Sequence, residues 1–333
     1  MPVNFKALCL CDPEFRPRYN HRQYPNFGDS PVPPLTYDQP ECWPALALES
    51  WKDTCATLHM WAQIVGKVRL GLAPLLNHWW NVPFYVTPTG LTTSRIPYGE
   101  RAFELRFDFV NHQLVLETSD GISARLQLQP RSVADFYQEF LAMLRSARIE
   151  VRIWRMPVEI LSPIPFDEDQ LHASYDRASV EKFWRILLSV DAVFTEFRSR
   201  FIGKSSPVHF FWGSFDLAVS RFSGRRASER PGADAITREA YSHEVSSVGF
   251  WPGSGEIKDA AFYSYTVPEP QGFKEVRVGP GAAHYNQQLG EFLLMYEDLR
   301  RSKSPTASLL DFCESTYQAG AILGHWDRNA LER

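Results

Sequence analysis

Ile202-Gly203-Lys204, followed by His209-Phe210-Phe211-Trp212, echoes an earlier stretch of the same chain: Val65-Gly66-Lys67, followed by His78-Trp79-Trp80. Each closes a long segment with an apolar stripe. Leu58, Trp61, Val65, Val68 and Leu72 recur at three-to-four spacing, which predicts one helix face ended by Gly71 and Pro74. Val180, Trp184, Leu187, Phe194, Phe197 and Phe201 mark a second such helix. Strand-like segments follow each, and then similar helix starts, Ser132-Val133-Ala134-Asp135-Phe136 and Ser308-Leu309-Leu310-Asp311-Phe312. Strands adjoin strands without intervening helices, so the class is α+β and not α/β. The expectation is of internally duplicated half-domains, each helix, antiparallel strands, helix, packed about a pseudo-twofold axis whose cleft receives both His-aromatic runs.

Between these landmarks the pattern is specific. Phe103, Leu105, Phe107 and Phe109 alternate with Glu104, Arg106 and Asp108, the signature of a half-buried strand over 102–110. Residues 113–118 and 125–129 read as a hairpin turned at Asp120-Gly121. Ser132 is expected to cap a helix reaching about Arg145, with Asp135 completing a weak capping box. Further strands are expected over 78–86, 149–153, 208–219, 241–250 and 261–267, and helices over 289–299 and 309–323. The domain reading follows: a Pro-rich N-terminal extension over 1–42, a first half over 43–154, an extended acidic connector over 155–176, and a second half over 177–333 with an insertion near 223–239. The extension could clasp a second subunit, which makes a homodimer one expected assembly.

The chain has 333 residues and a formal net charge of −4, so nothing draws it as a whole to nucleic acid or an anionic membrane. Aromatic residues make up 14% of it, enough to line a pocket as well as fill a core. Five cysteines without a CxxC pair suit a reducing cytoplasm. The N-terminus lacks the basic-then-apolar pattern of a signal peptide, and no apolar run reaches membrane-spanning length.

Segments 57–70, 77–80, 207–226 and 241–252, above all HFFWGSFDLAVSRFSGRR and YSHEVSSVGFWPG, resemble a bacterial family of unknown function. The resemblance covers about residues 43–333 and implies a coherent bacterial protein. It carries no chemistry with it.

Candidate chemistry therefore rests on residue types. If 208–219 is one strand, His209, Phe211 and Gly213 share a face, and Trp212, Ser214 and Asp216 share the other. His209, His243, Glu244 and Asp216 are the expected acid–base groups, since imidazole beside carboxylate moves protons near neutrality. His209, His243 and Glu244 could also hold a divalent metal ion, although no HxH or HExxH spacing supports one. His78, Trp80, Trp212, Lys67, Lys204, Arg221 and Arg225 are the expected ligand-binding set, the cations meeting an anionic group. The leading expectation is an enzyme acting on a small organic anion; the alternative is a non-catalytic ligand-binding or protein-interaction module using the same aromatic pocket. The basic-aromatic run Arg221 to Arg226 is too short to make nucleic acid the expected partner. No glycine-rich phosphate loop or GxSxG elbow occurs.

The extension lacks any apolar period, so removing residues 1–40 should leave the melting temperature within about 2 °C, measured by circular dichroism. A larger fall would make it an integral part of the core.

Overall fold

The computed structural model describes residues 42–228, 231–253 and 257–333. The extension call, the clasped homodimer, Cys9 and Cys11 lie outside these apart from Cys42. Two six-stranded antiparallel sheets carry the fold. The first half begins with helix α1 (Lys52–Leu72). It continues through β1 (Tyr85–Thr87), β2 (Gly90–Thr92), β3 (Ile96–Tyr98), β4 (Arg101–Asp108), β5 (Gln113–Thr118) and β6 (Ser123–Gln127) to α2 (Val133–Ser146). Its strands run in the order β1-β2-β4-β5-β6, with β3 pairing the remaining length of β4.

The second half begins with α3 (Arg177–Ser199), followed by β7 (His209–Phe211), β8 (Asp216–Arg226), α4 (Ala235–Ala240), β9 (His243–Trp251) and β10 (Ala261–Val267). It closes with β11 (His284–Asn286), β12 (Glu291–Met295), α5 (Tyr296–Arg300), α6 (Pro305–Leu323) and α7 (Arg328–Leu331). Its sheet runs β11-β12-β10-β9-β8-β7. The sheets meet where Phe84 and Phe210 exchange backbone hydrogen bonds of 2.8 and 2.9 Å. Both rings are buried and stacked there at 6.5 Å.

The α+β class and the long helices stand as read. The Ser132 hydroxyl accepts from the Asp135 amide, as a cap should. α1 is buried on nearly every side. Trp61, fully buried against Phe136, contributes about 2–3 kcal/mol by area alone. α3 and α6 cover one face of the second sheet, over Leu217, Val219, Phe250 and Phe262.

The local equivalence of the repeat landmarks does not hold. Gly66-Lys67 lies inside α1, whereas Gly203-Lys204 lies beyond the end of α3. His78 sits in a 3-10 turn with φ of 57°, while His209 is in a strand. Ser132 caps its helix, but Ser308 lies inside α6, which Ser304 caps. The halves share an order of elements without the register that duplication requires.

Other expectations are corrected. Residues 149–153 form no strand. The segment 208–219 is a hairpin: the chain reverses through 212–215, with Phe215 at φ 60° donating its amide to the Phe211 carbonyl. The helix expected over 289–299 is β12 followed by one short helix; an apolar run such as Phe292-Leu293-Leu294 fits either period, and burial inside the sheet decides. The polar 223–239 stretch is no loop throughout, since β8 runs to Arg226 and Asp234 caps α4. The connector is not simply exposed. Phe166 and Asp169 are buried, and the carbonyls of Asp169 and His172 accept from the first amides of α2.

Gly66 is required by packing. A Cβ there would lie 2.4 Å from the Trp212 indole, which fills the missing side chain's place. Gly66→Ala is therefore expected to destabilise by about 1–3 kcal/mol in urea denaturation, despite alanine's better helix propensity. An increase in stability would show that the indole moves aside freely.

Candidate functional site

The face of the second sheet away from α3 and α6 is the floor of a cavity of about 1330 Å³. Alternation along β8 turns Asp216, Ala218, Ser220 and Phe222 toward it, and β9 adds Val245, Ser247 and Trp251. Opposite one another in the middle of this floor lie Ala218 with Gly249 and Ser220 with Ser247. Ala218, Ser220 and Ser247 leave volume open among large rings, while Gly249 makes room for the Tyr263 ring. The turn bearing Trp79 and Trp80 forms one wall, α4 and Tyr241 another, and the end of α1 with Trp154 and Glu159 a third.

Asp216 is the centre of the polar chemistry. It accepts hydrogen bonds from the Ser214 hydroxyl and the Tyr263 phenol. Tyr263 reaches it by lying across Gly249, where a Cβ would fall 2.2 Å from the ring. Burial pushes the Asp216 carboxyl above its usual range, against the pull of those two donors. Two other cavity-lining carboxyls feel it. Glu159 is raised by burial and by Asp216, and Glu291 is raised to about 7 by the same two causes. Neither has a cation bonded to it among the described residues.

The expected site residues separate. Lys67, His78, Trp80, Trp212 and Asp216 all line the cavity. His209 shares the floor's face through its pairing with Ala218, yet Trp80, Tyr85 and Phe211 enclose it. Neither ring nitrogen has a partner, and burial lowers its pKa to about 3. Its burial favours the neutral ring. His243 pairs with Arg226, eight positions along β8 from the partner of His209. Its ring meets His78 edge-on at 5.7 Å. Glu244 points to the other side, where Arg225 holds it at 2.7 Å and Ser223 at 2.8 Å. The catalytic quartet is thus not assembled.

The same placement lends the metal reading no support. Among the described residues no three His, Cys, Asp or Glu side chains come together in a way that could hold a metal ion. Arg221 faces α3 and α6, between the Phe197 ring at 3.4 Å and Tyr317 at 4.4 Å, and pairs with Glu314 at 3.2 Å. Arg225 is spent on Glu244 and the carbonyls of Gly324 and His325. Neither arginine is a ligand contact, and the Arg221 to Arg226 run presents no continuous basic surface. Lys204 and Lys67 do not meet. Lys204 donates to His78 Nε2 at 2.6 Å, while His78 Nδ1 donates to the Ala240 carbonyl at 3.0 Å. That pairing fixes the imidazole tautomer at the cavity wall and keeps the ring neutral, as its burial also favours.

Tyr263, Glu159 and Glu291 are the members that sequence reasoning missed. Tyr263 lay in a correctly expected strand, and its alternation with Tyr265 was a usable signal. Glu291 was hidden by the helical reading of 289–299.

Two findings bear on relationship. The profile of a family of unknown function, DUF5996, matches residues 43–333. No curated protein and no solved structure matches the chain.

Glu291 has a testable signature. Its folded pKa, about 7, lies above the unfolded carboxylate value near about 4.3. Its neutral form therefore favours the folded state fully at low pH, and that contribution is lost as pH rises through about 7. Allowing for its partial exposure, wild type should lose about 1–2 kcal/mol relative to Glu291→Gln between about pH 5 and about pH 8. Denaturation of the two proteins side by side isolates the effect from the buried histidines. Parallel pH profiles would refute it.

Proposed function

The chain belongs to DUF5996, and on that premise, which brings no activity with it, we propose that the protein binds a small organic molecule in the cavity on the second sheet. The observation that carries this is the floor. Ala218, Ser220 and Ser247 give it small side chains beneath about 1330 Å³ of space rimmed by aromatic rings. A cavity of this size, mostly apolar with a few converging polar groups, is the usual form of a small-molecule site. Trp79, Trp80, Trp212 and Trp251 offer flat faces for a ring or hydrocarbon body, and Asp216 with Glu291 supplies its polar recognition. The four dispersed residues of the expected catalytic set favour binding over chemistry by that set.

A second reading is favoured by one observation. Burial raises the Asp216 carboxyl above its usual range and Glu291 to about 7, shifts suited to general acid–base work. In that reading Asp216→Asn abolishes turnover of the bound compound without abolishing its binding. Cys55 and Cys313 are buried free thiols, which supports a reducing cytoplasmic setting. No helix among the described residues is long and apolar enough to cross a membrane.

The neutral fluorophore phenylnaphthylamine tests the binding reading. It should bind the full-length protein saturably, with emission rising as it leaves water. Ser220→Phe, which fills the floor, should weaken binding by about tenfold or more while the protein still melts cooperatively. Unchanged binding in that variant, or none in wild type, would overturn the reading.

A further inference from the structure

Lys67 is a buried cation with nothing to neutralise it. It projects from α1 into the cavity and is 4% exposed. Among the described residues no acceptor bonds its ammonium and no carboxylate pairs with it. Its neighbours are two rings, Trp154 with the ammonium 4.9 Å from its centroid and Phe166 at 5.9 Å. Ring faces attract a cation but do not replace the hydrogen bonds that an ammonium loses on leaving water. The other deeply buried cations are provided for. Arg221 has Glu314 and the Phe197 carbonyl, and Arg69 donates to the Pro83 carbonyl. Lys204, which is exposed, has His78.

The cavity's own acids do not serve Lys67. Asp216 raises Glu159 and Glu291, so these three act on one another. The lowering of Lys67 to about 8 comes from burial alone, with no carboxylate opposing it. Among the described residues none of these carboxyls forms an ion pair with Lys67.

Resting on the reading of the cavity as a ligand site, we propose that Lys67 anchors an anionic group of the ligand, a carboxylate, sulfonate or phosphate carried on an apolar or aromatic body. The ligand then lies with its acid at α1 and its body over the small-residue floor. Asp216 and Glu291, whose carboxyls burial raises, donate hydrogen bonds to it or accept them. This assigns the anionic contact to Lys67 alone, in place of a pair with Lys204 or the arginines of β8.

Two fluorophores of the same body separate this from the cavity reading. Anilinonaphthalene sulfonate carries an anionic group, and phenylnaphthylamine lacks it. With the full-length protein, Lys67→Met should weaken the sulfonate about tenfold, the scale of one charge-assisted hydrogen bond, and leave the neutral probe within about twofold. Lys67→Arg should retain most of the sulfonate affinity. Equal weakening of both probes in Lys67→Met, or of neither, overturns the proposal while the cavity reading stands. Failure of the neutral probe to bind wild type overturns both. Sulfonate binding that survives Ser220→Phe would place that probe outside the cavity and overturn the assignment to Lys67.

Discussion

The seat of the Trp212 indole on Gly66 is the contact on which the site depends. It fixes α1 against the tight turn that joins β7 to β8, and the indole nitrogen donates to the Val82 carbonyl at 2.8 Å. One side chain thus ties the central helix, the turn of the second sheet and the segment after the His78 turn. Asp216 follows that turn at once, and Lys67 follows Gly66. The two polar ends of the cavity are placed by the same packing event. Close-packed interiors transmit displacement, so a shift of the indole would move both ends together.

The second sheet shows how one surface can be core on one side and cavity on the other. Residues facing α3 and α6 are large and apolar, with Arg221 sandwiched between rings and satisfied by Glu314. Residues on the opposite side are small at the centre and aromatic at the rim. Antiparallel strands alternate faces strictly, so the two roles are written into alternate positions of the same strands. Tyr263 exploits the vacancy at Gly249 to reach Asp216 across two strands.

Electrostatics then sorts the cavity's polar groups by what surrounds them. Two histidines singled out in the sequence are kept from charging: His209, an expected acid–base group, by burial, and His78, an expected ligand contact, by burial and the lysine bonded to it. The carboxyls move the other way, because desolvation and their mutual repulsion both disfavour charge. The cavity groups brought nearest neutrality are therefore a carboxyl and an amine, Glu291 raised to about 7 and Lys67 lowered to about 8.

The sequence by itself determined the α+β class, the long helices α1, α3 and α6, and strands β4, β5 and β10. Each is a periodic run long enough for one burial pattern to dominate, as the alternation from Phe103 to Phe109 shows. It also singled out five cavity residues, Lys67, His78, Trp80, Trp212 and Asp216, through the density of unusual side chains in two short runs. Tertiary structure alone decided how those runs relate. The reversal at 212–215 is a positive-φ turn at Phe215, a residue type that gives no turn signal, so the hairpin read as one strand and its faces were misassigned. Arg221 and Arg225 looked like anion binders because sequence shows charge and not its partner; Glu314 and Glu244 arrive from far along the chain or from the neighbouring strand. Glu159 and Glu291 enter the site for the same reason. Their meeting with Asp216 is a property of distance in space, which no local period encodes.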